Sequence, residues 1–290
     1  MTEHGLTIAL GGGAAKGLAH IGVLKGIEED GVEVAAIAGS SMGSLIGALS
    51  AQGLSAVEME ALVCSIDWVR LGRVMVTSVS GRAFHDMLRE TFGGTLIEDL
   101  TVAFAAVCCD LDTGEMVVLD TGDLAEAVCA SSAIPGILPS VRVGNRRLVD
   151  GAVVDPVPVT AARSMAPGPI LAVSVVRPSD GQEDRGTIMT TMPIRVELPA
   201  AFRRIERWLR RQREDRLEGE INARVSRWEA VFRSFHIMQH RLAICSRSEV
   251  PMIEPRVGRF GWFDFHRVDE IVAAGYDAYR EWTGVQSRSS

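Results

Sequence analysis

The chain has 290 residues, 47% apolar and 23% charged, a composition that excludes a miniprotein and a disordered chain of low hydrophobicity. Its net charge of −7 disfavours general nucleic-acid binding. The five cysteines are an odd number without C-x-x-C spacing, which argues against a disulfide framework or a zinc site and fits a reducing compartment.

The first residues, Met1 to Gly5, lack the basic and apolar regions of a signal peptide. No run approaches the ~18 consecutive apolar residues of a membrane span, so a cytoplasmic location is expected. Residues 6–10 form a short apolar run ended by glycines, and residues 18–29 carry Leu18, Ile21, Leu24 and Ile27 at helical spacing before a stop at Gly31. Residues 34–38 are a second apolar run closed by Gly39, and 44–52 reads as a second helix. Strand, helix, strand, helix is the sequence form of a parallel sheet with crossover helices. Helices are predicted over 58–66 and 84–91, with a loop at 78–82 between them. A buried strand at 102–109 pairs with 116–119 across Asp112-Thr113-Gly114, and a short helix at 125–130 leads into an apolar loop at 133–139.

Residues 141–143 and 147–149 flank Gly144-Asn145, a hairpin signal. The run at 170–176 is the last core strand predicted, and the polar stretch 179–186 marks a boundary between a core of 1–178 and a helical region of 179–290 that returns to it. Helix formers dominate 202–239, and 267–282 reads as a terminal helix. Charge is unevenly spread. Residues 195–247 hold thirteen Arg and seven Asp or Glu, a balance of +6, which leaves −13 for the remainder of a chain of net −7.

Two glycine loops follow the first two strands. Gly11-Gly12-Gly13-Ala14-Ala15-Lys16-Gly17 opens a helix, so backbone N–H groups converge where negative charge is favoured. A Walker loop needs Ser or Thr after Lys16, and Gly17 stands there. A dinucleotide site wants an acid at the end of the second strand, where Gly39 and Ser40 stand. An oxyanion site and a purely structural turn remain. The second loop, Gly39-Ser40-Ser41-Met42-Gly43, matches G-x-S-x-G between a strand and a helix, the context of a nucleophile elbow that presents Ser41. A Ser/Gly turn that merely caps the helix is the alternative. If the two strands are parallel neighbours, both loops emerge at one sheet edge, and N–H donors face a hydroxyl, as acyl transfer requires.

Ser41 needs a base. In an α/β hydrolase the histidine comes late in the chain, which makes His236, His240 and His266 candidates. His236 and His240 are four apart without an H-E-x-x-H pattern, so a metal pair is disfavoured. His20 is spaced for a structural hydrogen bond near the first loop. Asp150 ends a strand and precedes Gly151, which presents its carboxylate at a sheet edge or marks a common turn dipeptide.

Residues 11–24, the elbow at 39–43 and Asp150-Gly151-Ala152 together closely resemble the bacterial patatin-like phospholipases, whose catalytic domain is also similar to that of neuropathy target esterase. Residues 130–136 and 153–159 look like the same family's sequences on either side of the aspartate. The similarity covers 6–176 and continues more weakly through 258–279. The resemblance implies a three-layer α/β/α patatin-like fold with a mainly parallel sheet and a C-terminal helical appendage. It also implies a Ser–Asp dyad without histidine: Ser41 as nucleophile, Asp150 as base, and the N–H groups of Gly12, Gly13 and Ala14 as oxyanion hole, with no metal or organic cofactor. Ala14 departs from the glycine of many members, Lys16 stands where Arg or Lys is usual, and Asp155 stands where Asn is frequent.

The substrate so implied is a phospholipid, a lysophospholipid or another acyl lipid. Acylglycerol or general esterase activity, acyl transfer to an acceptor other than water, and a non-catalytic lipid-binding module are the alternatives. Residues 133–138 with Met42, Leu45 and Ile46 are expected to line an acyl groove, or simply to pack in the core. In 202–228, Phe202, Ile205, Leu209, Leu217, Ile221, Val225 and Trp228 recur at mostly helical spacing with Arg on other faces. That pattern is either a packed helix with solvated arginines or an interfacial element making peripheral contact with anionic lipid.

Overall fold

The computed structural model describes residues 5–68, 82–176, 227–247 and 249–289. From β1 (Leu6–Leu10) the chain runs through the first glycine loop and a short 3-10 turn (Ala14–Leu18) into α1 (Ala19–Glu29), β2 (Val34–Ser40), α2 (Met42–Ala51), α3 (Ala56–Ser65) and α4 (Arg82–Phe92). It continues through β3 (Ala103–Asp110), β4 (Met116–Leu119), α5 (Leu124–Ser131), β5 (Val141–Val143), β6 (Arg146–Asp150), α6 (Val159–Met165) and β7 (Ile170–Val173). The C-terminal part supplies α7 (Arg227–Ser246), β8 (Met252–Ile253) and α8 (Val268–Ser289).

Among the described residues these strands form one sheet in the order β5-β6-β3-β2-β1-β7-β8, with β4 also paired to β3. Pairing is parallel from β3 through β2, β1 and β7 to β8. It is antiparallel at β3–β4, β3–β6 and β5–β6. The parallel strands are apolar on both faces, as a sheet covered by helices on each side demands. Their two faces differ in size. Ile8 and Leu10 of β1, Ile37 of β2 and Leu171 and Val173 of β7 fill the larger core beneath α1, α2 and α8. The alternate residues Ala9, Ala38 and Ala172 face Val159 and Ala162 of α6 and Ala243 of α7. Small side chains on that face let the second helical layer lie close to the sheet.

α8 closes the larger layer by packing on α1. A Cβ on Gly22 would strike the Val272 carbonyl oxygen, and one on Gly275 would strike that of Ala19, so the two helices touch backbone to backbone. At the far end of the contact, the Tyr276 hydroxyl donates to Glu29 at 2.6 Å and Arg280 donates to Asp30 at 2.6 Å.

Three expectations change. The sheet does not end at the 170–176 run: β7 stops at Val173, and Met252–Ile253 returns to pair with it as the edge strand. The helix α6 was not predicted, because Pro156 and Pro158 break its approach and only Val159–Met165 is helical. α8 extends to Ser289, beyond the predicted 282. The 178/179 boundary and nearly all of the basic amphipathic stretch at 202–228 lie outside the described residues. Among the described residues no helix is long and apolar enough to cross a membrane.

Candidate active site

The strand β3 brings the two halves of the site together. β2 lies parallel along one edge of it and ends with Ser40 opposite Val107. β4 pairs with residues 106–109, and residues 106–107 also pair with β2, so β4 occupies the opposite edge. Residues 108–109 pair with both β4 and β6, which puts β6 on the β2 edge, running the other way and ending with Asp150 opposite Cys108. β2 and β6 therefore meet head-on over two consecutive β3 residues. Ser41 and Asp150 stand at the junction.

Ser41 leaves β2 in a sharp turn with φ 53° and ψ −123°, a backbone conformation rarely adopted by a residue with a side chain. The turn requires Gly43: a Cβ there would collide with the Leu10 carbonyl, where α2 crosses the end of β1. Gly39, opposite Ala106 in the ladder, is likewise pressed against the start of α2. The Ser41 carbonyl accepts from the Ser44 hydroxyl at 2.7 Å and the Ser44 N–H at 2.9 Å. Ser41 is thus the N-cap of α2, where the helix dipole favours developing negative charge.

The Ser41 hydroxyl donates to Asp150 Oδ2 at 2.6 Å. The other carboxylate oxygen, Oδ1, accepts from the Ala152 N–H at 2.8 Å, in the turn opened by Gly151. Both residues are nearly enclosed, Ser41 at 5% and Asp150 at 1% exposure. Burial pushes the Asp150 carboxyl up to about 7, against the lowering effect of the hydrogen bonds from Ser41 and Ala152. Asp155 is also raised to about 7 by burial and by nearby Glu249, opposed by a hydrogen bond from the Val157 backbone.

The first glycine loop lies against the serine, since a Cβ on Gly12 would come within 3.2 Å of the Ser41 Cβ. Its N–H groups are not equivalent. Gly11 donates to the Val173 carbonyl at 3.0 Å and Gly12 to the Pro156 carbonyl at 2.9 Å. The Gly12 N–H, expected as a donor to an oxyanion, is thus paired with the backbone in this structure. Among the described residues the Gly13 and Ala14 N–H groups have no acceptor. Ala14 adopts φ 48°, which explains why glycine suits this position. Ala15 donates to the Trp262 carbonyl at 3.1 Å, and Trp262 packs on Ala14. The loop is thus tied to the C-terminal part of the chain. Lys16 is buried in the turn that follows, and Gly17 packs against Met42 of α2.

The candidate histidines have other contacts or surroundings. His20 is enclosed beneath the first loop, with Nε2 2.7 Å from the Gly11 carbonyl. A carbonyl only accepts, so Nε2 carries the proton. Burial pushes this imidazole down to about 4, which keeps it neutral, and among the described residues Nδ1 has no partner. His236 packs edge-on against Trp262, His240 Nδ1 lies 3.4 Å from the Val176 carbonyl, and His266 is exposed. Among the described residues no cluster of three or more His, Cys, Asp or Glu is placed to hold a metal ion.

The residues missed by the sequence reading are Ser131 and Ser132 at the end of α5. The Ser131 hydroxyl accepts from the Ser41 N–H at 3.0 Å, and the Ser132 hydroxyl donates to the Ser41 carbonyl at 3.4 Å. Both sit in the stretch that resembled the family, yet nothing in their spacing tells a bracing hydroxyl from a helix C-terminus.

The family model for patatin-like phospholipases matches residues 8–163. An uncharacterised NTE family protein of Mycobacterium tuberculosis is 28% identical over 284 residues, covering 95% of this chain and 46% of that protein. Another from the same species is 34% identical over 176 residues, 59% of this chain and 49% of the relative. Human patatin-like phospholipase domain-containing protein 6 is 29% identical over 303 residues, all of this chain and 21% of the relative. The chain spans about half the length of the mycobacterial relatives and a fifth of the human one.

Proposed function

The chain belongs to the patatin-like phospholipase family, and from that premise we propose that it is a serine lipid acyl hydrolase in which Ser41 and Asp150 act as a dyad. The observation that carries the reading is the 2.6 Å hydrogen bond from the Ser41 hydroxyl to Asp150 Oδ2, at a strained elbow enclosed by protein. Asp150 takes the hydroxyl proton while Ser41 Oγ bonds to the ester carbonyl carbon and the π electron pair moves onto oxygen. The Gly13 and Ala14 N–H groups and the N-terminus of α2 stabilise that oxygen, where one such donor is worth about 2.7–4 kcal/mol in a transition state. Collapse breaks the bond to the leaving alcohol, which takes the proton from Asp150. Water then attacks the acyl-enzyme and gives its proton to Asp150; collapse breaks the acyl–Oγ bond, Asp150 returns the proton to Ser41 Oγ, and the carboxylic acid leaves.

The substrate class is the carboxylic ester of a phospholipid or lysophospholipid, met by peripheral contact with a lipid surface. Asp150 must be ionised to act as base, and burial raises it to about 7. The rate is therefore expected to rise with pH through about 7. The test is hydrolysis of p-nitrophenyl esters, lysophospholipids and phospholipids by the wild type and by Ser41→Ala, Asp150→Asn, His236→Ala, His240→Ala and His266→Ala. Both dyad variants are expected to lose about 10³-fold or more, in line with removal of a triad member, while the histidine variants stay active. An active Asp150→Asn beside an inactive histidine variant would sink the reading.

A further inference from the structure

Ser131 is the last residue of α5 and is completely buried. Its hydroxyl donates to the Val107 carbonyl at 2.6 Å and accepts from the Ser41 N–H at 3.0 Å. Val107 is the β3 residue opposite Ser40. The sharp turn takes the Ser41 N–H out of the β2–β3 ladder, and one hydroxyl, donor and acceptor at once, links it back to β3. The other braces of the elbow, Ser44 and Ser132, both act on the Ser41 carbonyl.

A sparsely populated backbone conformation persists only where its surroundings over-determine it. Rotation about φ of Ser41 swings its Cβ, and with it Oγ, relative to the N–H. Whatever anchors the N–H therefore sets where Oγ points. We propose that Ser131 is a positioning residue for the nucleophile: its hydroxyl locks the Ser41 backbone in the elbow conformation and so maintains the Oγ contact with Asp150. The inference rests on the dyad reading above. It also carries a consequence for the base. The Ser41 hydrogen bond lowers the Asp150 carboxyl from where burial alone would hold it, so loosening Ser41 moves the ionisation of Asp150 to higher pH.

The experiment compares wild type, Ser41→Ala, Ser131→Ala and Ser131→Cys with p-nitrophenyl butyrate across pH 5–9, alongside thermal melts. Ser131→Ala is expected to lower kcat about 10- to 100-fold, the scale of a misplaced reacting group, with KM little changed and the acid limb shifted to higher pH. Ser131→Cys fills the site with a weaker hydrogen-bonding group and is expected to fall between. It also serves as the measured variant if Ser131→Ala does not fold. A purely structural role lowers the melting temperature and leaves the kcat and acid midpoint of the folded enzyme unchanged, and that outcome overturns the proposal. So does a folded Ser131→Cys with wild-type kcat and acid midpoint. Wild-type activity in Ser41→Ala would instead overturn the dyad itself, a result separable from failure of Ser131 alone.

Discussion

Two non-glycine residues in the described chain have positive φ, Ser41 at 53° in the elbow and Ala14 at 48° in the first glycine loop. Their supports are built from different atoms. Ser41 is held largely by side chains, the hydroxyls of Ser131, Ser132 and Ser44 and the carboxylate of Asp150, with the Ser44 and Leu45 N–H groups also on its carbonyl. The loop around Ala14 is held mostly by main-chain carbonyls of Val173, Pro156 and Trp262, with one side chain, His20, on the Gly11 carbonyl. A support made of side chains is erased by one substitution. A support made of carbonyls survives substitution so long as the segment carrying it stays in place. The elbow is therefore chemically fragile, whereas the glycine loop depends on the packing of remote segments.

The largest effect is expected where the two regions touch. Gly43→Ala puts a methyl group into the Leu10 carbonyl at the root of the first loop. α2 must then withdraw from β1 and carry Ser41 with it, so labelling by a fluorophosphonate should slow by about 100-fold or more. Labelling at the wild-type rate would show that the elbow is not fixed by that contact. Trp262 comes next. Trp262→Ala removes a buried indole and is expected to cost about 3–5 kcal/mol, read as a lower denaturation midpoint together with slower labelling. Trp262→Phe keeps an aromatic packer and the tethering carbonyl, so it should label almost as fast as wild type. A large loss in the phenylalanine variant would contradict the main-chain account of the loop. The smallest effect belongs to Ala14→Gly. Relief of the Cβ clash in the left-handed region, about 1–2 kcal/mol, is opposed by the larger unfolded-state freedom of glycine, about 0.5–1 kcal/mol. A scanning-fluorimetry shift of no more than about 4 °C and an unchanged kcat are expected.

The same contrast explains what could be read beforehand. The elbow was legible because its geometry demands glycine at Gly39 and Gly43, and the close approach of α2 to β1 leaves no other choice. Short continuous apolar runs, two of them closed by glycines, made β1, β2 and β7 legible. The edge strand Met252–Ile253 was not, because two residues carry no periodicity. The diversion of the Gly12 N–H to Pro156 and the tether of Ala15 to Trp262 are main-chain contacts between distant segments. Any residue can supply a carbonyl, so neither leaves a mark in the amino-acid pattern. Ser131 escaped for a related reason: a buried hydroxyl at the end of a helix looks like any small residue until its two partners are known.

The register of β3 has a mechanical consequence. Ser40 is opposite Val107 and Asp150 opposite Cys108, so the strand ends that carry Ser41 and Asp150 are set one peptide unit apart along a central strand. That gap is a covalent dimension, as stiff as the polypeptide itself. It fixes the strand ends, while the orientation of the Ser41 hydroxyl depends on the elbow contacts from α2 and the end of α5; the glycine loop has no such ruler. On the proposed mechanism, control of this site through conformation would act on the elbow contacts, on how the carbonyl oxygen is received or on how the ester enters, with the two strand ends already in register.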